Sequence, residues 1–219
     1  MGQPTLENGI LPADRGTARA SLAYSRIGKR ILDLTIGTGL MIVLSPFLLG
    51  AAIAVKFSLG KPVLYRQERV GRQGRTFYLY KLRTMLPDRR RGDAPFPGPD
   101  RRKTHKSRND PRVPAAGSVL RAFHLDELPQ LWNVIKGDMS MVGPRPELPQ
   151  IVEKYSEWQH RRHAVKPGLT GLWQISEMNG HPMHECTEVD LEYVSRMGLR
   201  TDLSILIRTP VAVLRRHGY

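Results

Sequence analysis

A long apolar segment near the amino terminus constrains the fold more than any other feature of the chain. From Ile31 to Val55 the sequence reads ILDLTIGTGLMIVLSPFLLGAAIAV, and its one charged residue, Asp33, lies close to the start. As a continuous helix this segment would be about 37 Å long at roughly 1.5 Å per residue, while the hydrocarbon core of a bilayer is about 30 Å thick. Helices buried in soluble domains are rarely so long and so uniformly apolar. The segment therefore predicts a membrane-associated protein.

A Ser45-Pro46 pair lies in the middle of this segment. Proline removes a backbone donor and clashes with the preceding turn, so we expect a kink or a break there. Both flanks are basic, which favours the cytoplasmic side for each end and hence a re-entrant helix. A kinked spanning helix is the alternative, because such helices tolerate proline. The basic residues are Arg26, Lys29 and Arg30 before the segment, then Lys56, Lys61, Arg66 and Arg69 after it.

The charge of the chain calls for an anionic partner. A formal net charge of +14 suits nucleic acid, an anionic membrane surface or a phosphate-rich substrate. Residues 86–111 are rich in arginine and proline, which predicts a mobile basic loop. Phe96 is the only aromatic residue among these arginines, and the lack of further aromatic residues argues against nucleic acid. The single cysteine, Cys186, excludes an internal disulfide and a cysteine-rich zinc site.

The rest of the chain predicts a small domain of helices with a hairpin. VLYRQ and TFYLYKLRT alternate as strands do around a GRQG turn, and a helix is expected to end at Gly137. A second helix, across residues 148–164, would carry a basic face that includes Arg162, and would lie on the bilayer or over the core. Pro210 should interrupt the apolar carboxy-terminal segment. Residues 1–28 are polar and predict a disordered tail rather than a signal peptide.

Two adjacent carboxylates, Asp126 and Glu127, lie just before the helix that ends at Gly137. Pro129 suits the first turn of this helix, and the free N–H groups there keep a nearby carboxylate ionised. An ionised Asp126 can attack phosphorus and form an acyl phosphate, and Glu127 can help to hold a divalent ion. Taken alone, the pattern fits a capping aspartate beside an exposed glutamate better, because capping aspartates are common.

Cations in two other segments are candidate phosphate ligands. Pro144 and Pro146 restrict the backbone on both sides of Arg145, whose guanidinium suits phosphate oxygens. The alternative is an arginine that pairs with a local acid. Lys81 and Arg83 in KLRTM are either phosphate ligands or part of a solvated strand face. The sequence contains no P-loop and no G-x-G-x-x-G motif, so a nucleotide-binding fold of either type has no support.

Several segments form a pattern that is more specific than any one of them. They are KRILD, the apolar stretch with Ser45-Pro46, YRQERVGRQGRTFYLYKLRTM, NDPRV, LDELPQLWNVIKGDMSMVGPRPE, KPGLTGLWQ, DLEYV and TDLSIL. Together, over residues 29–216, they resemble the bacterial sugar transferases, the monotopic phosphoglycosyl transferases. The carboxy-terminal TPVAVLRRHGY is similar to the short exopolysaccharide-type members.

The resemblance implies a fold and a reaction. The fold is α-rich α+β, with a re-entrant membrane helix broken at Ser45-Pro46 and a small cytoplasmic catalytic domain that has amphipathic interfacial helices. The reaction transfers a sugar-1-phosphate from a UDP-sugar to undecaprenyl phosphate through an aspartyl-phosphosugar intermediate. It releases UMP and initiates exopolysaccharide or glycoconjugate synthesis. The implied location is the cytoplasmic face of the bacterial inner membrane, with membrane lipids as partners and no nucleic acid. The oligomeric state stays open, and a homodimer is one candidate.

The resemblance also assigns roles to single residues. It implies Asp126 as the nucleophile and Glu127 as a ligand of Mg²⁺. The implied substrate-binding residues are Lys81, Arg83, Arg121, Pro144, Arg145, Pro146 and Asp202. The corresponding domains are a tail over 1–28, a membrane helix over 29–60 and a catalytic domain over 61–219, which includes the basic loop 86–111.

Two departures from the family pattern bear on function. His124 occupies a position where the family commonly has serine, and Glu177-Met178 stands where it usually has Gly-Arg. In the family that arginine is thought to contact the phosphates of the donor. Its replacement keeps a second hypothesis open, in which the chain is a catalytically weakened, membrane-tethered scaffold of a polysaccharide assembly complex. A basic tethered protein that binds nucleic acid or acidic polysaccharide is a third.

Overall fold

The structure, a computed structural model, describes residues 24–86 and 112–215. Nearly all of the predicted tail and of the predicted basic loop lies outside these ranges. The described chain is rich in helix and has two small sheets. Its elements are α1 (Lys29–Leu59), β1 (Leu64–Val70), β2 (Thr76–Leu82), α2 (Ala115–Ala122), α3 (Gln130–Lys136), β3 (Ser140–Val142), α4 (Pro149–Val152), β4 (Gly168–Thr170), α5 (Leu172–Ile175), α6 (Thr187–Arg196) and α7 (Leu199–Arg215).

Helix α1 contains the whole of the apolar segment. Among the described residues it is the one helix that is long and apolar enough to cross a membrane by length and composition. Its middle is exposed rather than packed: Ile42 and Val43 are 68% and 67% exposed, and Phe47 is 61% exposed. Contiguous exposed apolar side chains of this size mark a surface that contacts lipid or protein. Helix α1 therefore has the composition and the exposure of a membrane anchor.

The predicted break at Ser45-Pro46 is not seen, because α1 is one continuous helix with Pro46 inside it. Proline at position 46 leaves the carbonyl of Ile42, four residues earlier, without its amide donor. The hydroxyl of Ser45 donates to that carbonyl at 2.7 Å. Since the adjacent serine replaces the lost donor, the helix can continue through the proline.

Both ends of α1 pack against the same domain. Near its start, Asp33 is 1% exposed and accepts hydrogen bonds from the Ser140 hydroxyl and the Met141 amide, both at 2.8 Å. Near its end, Ala51 and Val55 are buried in a cluster with Leu82 and Leu120 of the domain. The segment between Gly37 and Ala51 has no buried residue. The exposed middle of α1 therefore lies between two anchored ends.

Two short sheets organise the domain. The predicted hairpin is confirmed: β1 and β2 are antiparallel, with Leu64 opposite Leu82, and a 3-10 turn at Arg72–Gly74 joins them. Strands β3 and β4 are parallel. The main core lies between the sheets and the helices and contains Leu79, Leu131, Val134, Met139, Met141, Val142, Tyr193 and Ile205.

Helix α3 fixes the position of β2. The side chain of Asn133 is fully buried, donates to the carbonyl of Tyr78 at 2.7 Å and accepts from the amide of Tyr80 at 3.1 Å. The helix ends where it was predicted to end, at Gly137, whose φ of 97° is a conformation that glycine adopts at low cost. Because Lys81 follows Tyr80 directly, this contact also sets the position of Lys81.

Two predictions for the carboxy-terminal half are wrong. Residues 148–164 form the short α4 and then a 3-10 helix, Glu157–Ala164, that begins with a capping box at Ser156. In this arrangement Arg162 is 2% exposed instead of lying on a solvated basic face. Helix α7 also continues through Pro210 to Arg215, so the proline does not interrupt it.

The backbones of β4 and of the segment after β3 are in very close contact. A Cβ atom added at Gly168 would lie 2.1 Å from the amide nitrogen of Gly143 and 2.3 Å from the carbonyl oxygen of Thr170. No side chain fits between two backbones at this distance. Glycine is therefore required at position 168 for residues 143–147 to lie where they do.

We expect Gly168→Ala to destabilise the protein by on the order of 3 kcal/mol, because backbone atoms on both sides must move. For a domain of this size that corresponds to a fall of about 10 °C in the thermal midpoint, measured in detergent by circular dichroism. Gly50→Ala is the matched control, since nothing lies within 4 Å of its added Cβ and alanine is a better helix former. Equal midpoints for the two variants would contradict the close contact.

Candidate active site

The carboxylate pair lies on a 3-10 turn, Leu125–Glu127, between α2 and α3. His124 precedes the turn in the left-handed region, at φ 55°, and Pro129 follows it as the residue before α3. Helix α3 receives no capping hydrogen bond from a side chain. Asp126 is therefore not its capping residue, and the simpler interpretation of this aspartate loses its support.

Glu127 lies between two cations. Its Oε1 atom accepts hydrogen bonds from Nζ of Lys81 at 2.8 Å and from Nη2 of Arg145 at 2.7 Å. Although burial raises the pKa of Glu127, Arg145 and Lys81 together hold it well below its usual value. The carboxylate in turn raises the pKa of the Arg145 guanidinium. Glu127 and Arg145 are therefore charged at neutral pH, and three predicted site residues from distant parts of the chain meet here.

Asp126 has a different environment from its neighbour. It is 9% exposed, and burial, followed by the negative charge of Glu127, raises its pKa to about 6. Lys81 and Arg121 act in the opposite direction on this pKa. The side chain of Arg121 is held by a hydrogen bond from its Nε to the Thr84 hydroxyl at 2.8 Å. Within the described part of the chain, Asp126 is therefore a carboxylate close to cations that forms no ion pair of its own, which leaves it available to react.

The backbone around Arg145 is held at four consecutive carbonyls. Such complete pairing restricts the backbone of a loop far more than its sequence alone would. The donors are the Gly168 amide to Pro144 at 2.8 Å, the Arg162 guanidinium to Arg145 at 2.8 Å, the Arg69 guanidinium to Pro146 at 3.1 Å, and the Val70 amide to Glu147 at 2.9 Å. The guanidinium of Arg145 is therefore presented from a fixed segment, as its two flanking prolines predicted.

Two predicted site residues lie elsewhere. Arg83 donates to the carbonyls of Leu59 and Gly60, so its guanidinium binds the carboxy-terminal end of α1. Asp202 is fully buried and pairs with Lys29 at 2.6 Å and with the Tyr193 hydroxyl at 2.9 Å. The structure thus gives Arg83 and Asp202 contacts that attach the two ends of α1 to the domain, rather than contacts with the carboxylate pair.

Sequence reasoning missed Arg69 and Arg162 as residues of this site. Burial, followed by the charge of Arg145, lowers the pKa of Arg69 to about 10, which reflects its position among other cations. In the sequence, the position of Arg69 in the YRQER segment was the only signal that could have assigned it to the site. Arg162 was misassigned because a single α-helix over residues 148–164 would have turned it to solvent.

The unusual Glu177-Met178 pair lies in a separate 3-10 turn, Glu177–Gly180. Met178 is 43% exposed, and its carbonyl lies 3.9 Å from the sulfur of Cys186. Glu177 lines a groove between α5 and α7, together with Gln174 and Ile207. Among the described residues, Glu177 belongs to no ion pair.

The donor set of the site is compatible with Mg²⁺ that arrives with a phosphorylated substrate. Within residues 24–86 and 112–215, no group of three or more His, Cys, Asp or Glu side chains could hold a metal ion. Mg²⁺ commonly uses one or two carboxylates and takes its other ligands from water and substrate phosphates. Asp126 and Glu127 supply such a pair, although Glu127 shares its Oε1 with two cations.

The fold and the site define a class of protein: a carboxylate pair set among cations suited to phosphate, on a domain attached to an apolar helix with the length and composition of a membrane anchor. The sequence profile of the bacterial sugar transferases matches residues 24–216. The chain belongs to the bacterial sugar transferase family.

Named relatives are similar along most of the chain. The exopolysaccharide production protein ExoY of Sinorhizobium fredii is 39% identical over 220 residues, which cover 96% of this chain and 95% of that protein. The undecaprenyl-phosphate galactose phosphotransferase of Salmonella typhimurium is 38% identical over 89% of this chain, and an uncharacterized sugar transferase of Haemophilus influenzae is 40% identical over 89%. The chain spans 42% of the length of each of these two relatives.

We expect Glu127→Gln to bind inorganic pyrophosphate at least about threefold more tightly than the wild type in EDTA, because Lys81 and Arg145 lose their anionic partner. Titration calorimetry at low ionic strength measures this affinity, since salt screens the interaction. Glu188→Gln, an exposed substitution on α6, should leave the affinity unchanged. Equal or weaker binding by Glu127→Gln would mean that these two cations do not face a phosphate ligand.

Proposed function

We propose that the protein transfers a sugar-1-phosphate from a UDP-sugar to undecaprenyl phosphate, through an aspartyl-phosphosugar intermediate on Asp126, and releases UMP. The observation that carries this proposal is the arrangement of Asp126 beside a glutamate that Lys81 and Arg145 hold ionised. Names of relatives support it. Besides the Salmonella enzyme, a protein of Xanthomonas campestris named UDP-glucose:undecaprenyl-phosphate glucose-1-phosphate transferase is 36% identical over 87% of the chain.

Cations bind the donor in this proposal. A diphosphate needs several positive charges around it, and displacement at phosphorus depends mainly on position and charge neutralisation. Lys81, Arg121 and Arg145 supply those charges around the carboxylate pair. When bound, Mg²⁺ supplies further neutralisation of the diphosphate oxygens, and Glu127, with Asp126, would hold it. No general base is needed, since an ionised carboxylate has no proton to lose.

Two displacements then complete the reaction. A carboxylate oxygen of Asp126 attacks the phosphorus that carries the sugar, and the bond from that phosphorus to the bridging oxygen breaks, so UMP leaves with the bond's electron pair. A phosphate oxygen of undecaprenyl phosphate next attacks the phosphorus of the acyl phosphate. The bond to Asp126 breaks, which regenerates the carboxylate and yields a lipid-linked diphosphosugar.

The site lies where both substrates can reach it. The turn that carries Asp126 packs beside the second end of α1, since Leu125 contacts the cluster that contains Val55. The phosphate of a polyprenyl lipid lies at the bilayer surface while its chain stays in the hydrocarbon. A soluble nucleotide sugar reaches the same boundary from the aqueous side. A carboxylate held at the base of a membrane anchor can therefore react with both.

The same contacts support a re-entrant path for α1. A straight helix of this length extends for about 46 Å at roughly 1.5 Å per residue, so a spanning helix would have its ends on opposite sides of the bilayer. The re-entrant path therefore requires α1 to bend at Pro46 while its residues stay helical. Asp33 and Val55, near the two ends, are both buried against one domain. A polar domain that binds both ends lies on one side of the membrane, which we propose is the cytoplasmic face.

We expect the purified protein with Mg²⁺ to release UMP from one UDP-sugar in a panel when undecaprenyl phosphate is present. Asp126→Asn should lower this rate at least about 10³-fold, because the amide cannot form the intermediate. Glu192→Gln is the matched control, since Glu192 lies in an exposed pair with Arg196 on α6. With a donor labelled in the sugar phosphate and no acceptor, the label should remain on the wild type and not on Asp126→Asn. No release by folded wild type from any donor would favour the scaffold hypothesis.

We expect single cysteines at Ile27→Cys and Lys61→Cys, in a Cys186→Ser background, to react with a membrane-impermeant maleimide only after the inner membrane is permeabilised. Both positions are exposed in the protein, so access is limited by the membrane alone. A spanning helix would leave one of them reactive in intact spheroplasts. That pattern would overturn the re-entrant path without affecting the proposed reaction.

A further inference from the structure

Arg162 is a buried cation beneath the segment that carries Arg145. It is 2% exposed and forms an ion pair with Asp190, which is 1% exposed, at 2.6 Å between Nη2 and Oδ2. Burial raises the pKa of Asp190 to about 6 in spite of this partner. A buried ion pair of this kind is a poor source of stability, because the cost of removing two charges from water rivals their attraction. The pair calls for an explanation other than stability.

The contacts of the guanidinium supply that explanation. Besides its pairing with Asp190, Nη2 of Arg162 donates to the carbonyl of Arg145 at 2.8 Å, and Nη1 donates to the Tyr155 hydroxyl at 2.5 Å. The side chain of Arg145 in turn donates to Glu127 at 2.7 Å. A continuous chain of contacts therefore runs from Asp190 through Arg162 and the Arg145 backbone to the carboxylate pair.

We propose that Arg162 is a positioning residue that acts through Arg145. By holding the Arg145 carbonyl, it fixes the direction from which the Arg145 guanidinium approaches the donor phosphates, and Asp190 and Tyr155 hold Arg162 in place. This inference rests on the proposed function, since it takes Arg145 as a phosphate ligand. Arg162 itself touches neither the carboxylate pair nor the substrate.

The flanking prolines explain why a carbonyl is the point of attachment. Pro144 and Pro146 have no N–H group, so the segment has few donors with which to bind the rest of the protein. Its carbonyls carry this role, and the one that belongs to Arg145 itself is held by a side chain instead of a backbone amide. A planar guanidinium can meet a carbonyl, a hydroxyl and a carboxylate at once in a fixed geometry, whereas the single ammonium of lysine cannot.

The test is a double-mutant cycle between Arg162→Lys and Arg145→Ala. Lysine keeps the charge opposite Asp190 but loses the fixed geometry. We expect Arg162→Lys to lower kcat/KM for the donor on the order of 30-fold, since a displacement near 1 Å at a phosphate ligand costs about 10²-fold. In the Arg145→Ala background the same substitution should cost less than about twofold, because the group that it positions is absent. A labelled donor makes the slow Arg145→Ala reaction measurable.

Two controls separate positioning from a general loss of structure. Arg196→Lys makes the same change on α6, in an exposed pair with Glu192, and should leave kcat/KM unchanged in both backgrounds. Tyr155→Phe removes only the hydroxyl that holds Nη1, and should give a smaller loss, about threefold, that also disappears with Arg145→Ala. If Arg162→Lys does not fold, Tyr155→Phe and Arg145→Ala form the double-mutant cycle instead. Equal fold-losses in kcat/KM in both backgrounds would overturn the proposal. A substitution that acts only on overall structure lowers kcat/KM by the same factor whether or not Arg145 is present.

Hydrogen exchange gives a readout that does not require activity. We expect the amides of Gly143, Arg145 and Glu147 to exchange at least about tenfold faster in Arg162→Lys, or in Tyr155→Phe, while those of α3 stay unchanged. Unchanged exchange at 143–147 would overturn the positioning role, whether or not the wild type is active. If wild-type protein releases no UMP yet exchange rises at 143–147 alone, the proposed function fails and the positioning of the segment stands.

Discussion

Hydrogen bonds to the carbonyls of residues 144–147 hold most of the structure in register. Their donors come from β1, from β4 and from the 3-10 helix over Glu157–Ala164. The segment is therefore the place where parts of the chain that are far apart in sequence meet. Because glycine at 143 and at 168 allows the backbones to touch, these bonds can form and the segment has little room to move. The position of Arg145 follows from that constraint.

Electrostatic balance within the site depends on the same segment. Glu127 stays ionised because Arg145 and Lys81 lie on either side of it, whereas burial and the adjacent charge of Glu127 raise the pKa of Asp126. Two adjacent carboxylates thus acquire different properties from their surroundings. One binds cations and suits a metal, and the other is less engaged and suits attack on phosphorus.

Helix α1 has the composition of a membrane anchor, and it is also attached to the domain at both ends. Its first turns are attached through Lys29 and Asp33, and its last turn through Arg83, which binds the carbonyls of Leu59 and Gly60. Charged side chains near the ends of an apolar helix are thereby paired within the protein. The apolar middle of the helix stays exposed, and the turn that carries Asp126 lies close to its second end.

The sequence by itself determined the elements whose cause is local. The apolar segment, the hairpin around its GRQG turn and the end of α3 at Gly137 follow from hydropathy, alternation and glycine geometry, and all three are present. The motif resemblance further identified the family and named Lys81, Glu127 and Arg145, which the structure brings into contact.

Only the tertiary structure decided what depends on contacts between distant residues. Ser45 supplies a hydrogen bond that keeps α1 continuous where proline alone predicted a break. A capping box at Ser156 begins a 3-10 helix that turns Arg162 inward, which helical spacing could not indicate. Arg83 and Asp202 were assigned to substrate, but they pair with groups at the two ends of α1. A charged side chain pairs with the partner that the fold brings within contact distance. Which residues come that close cannot be read from the sequence.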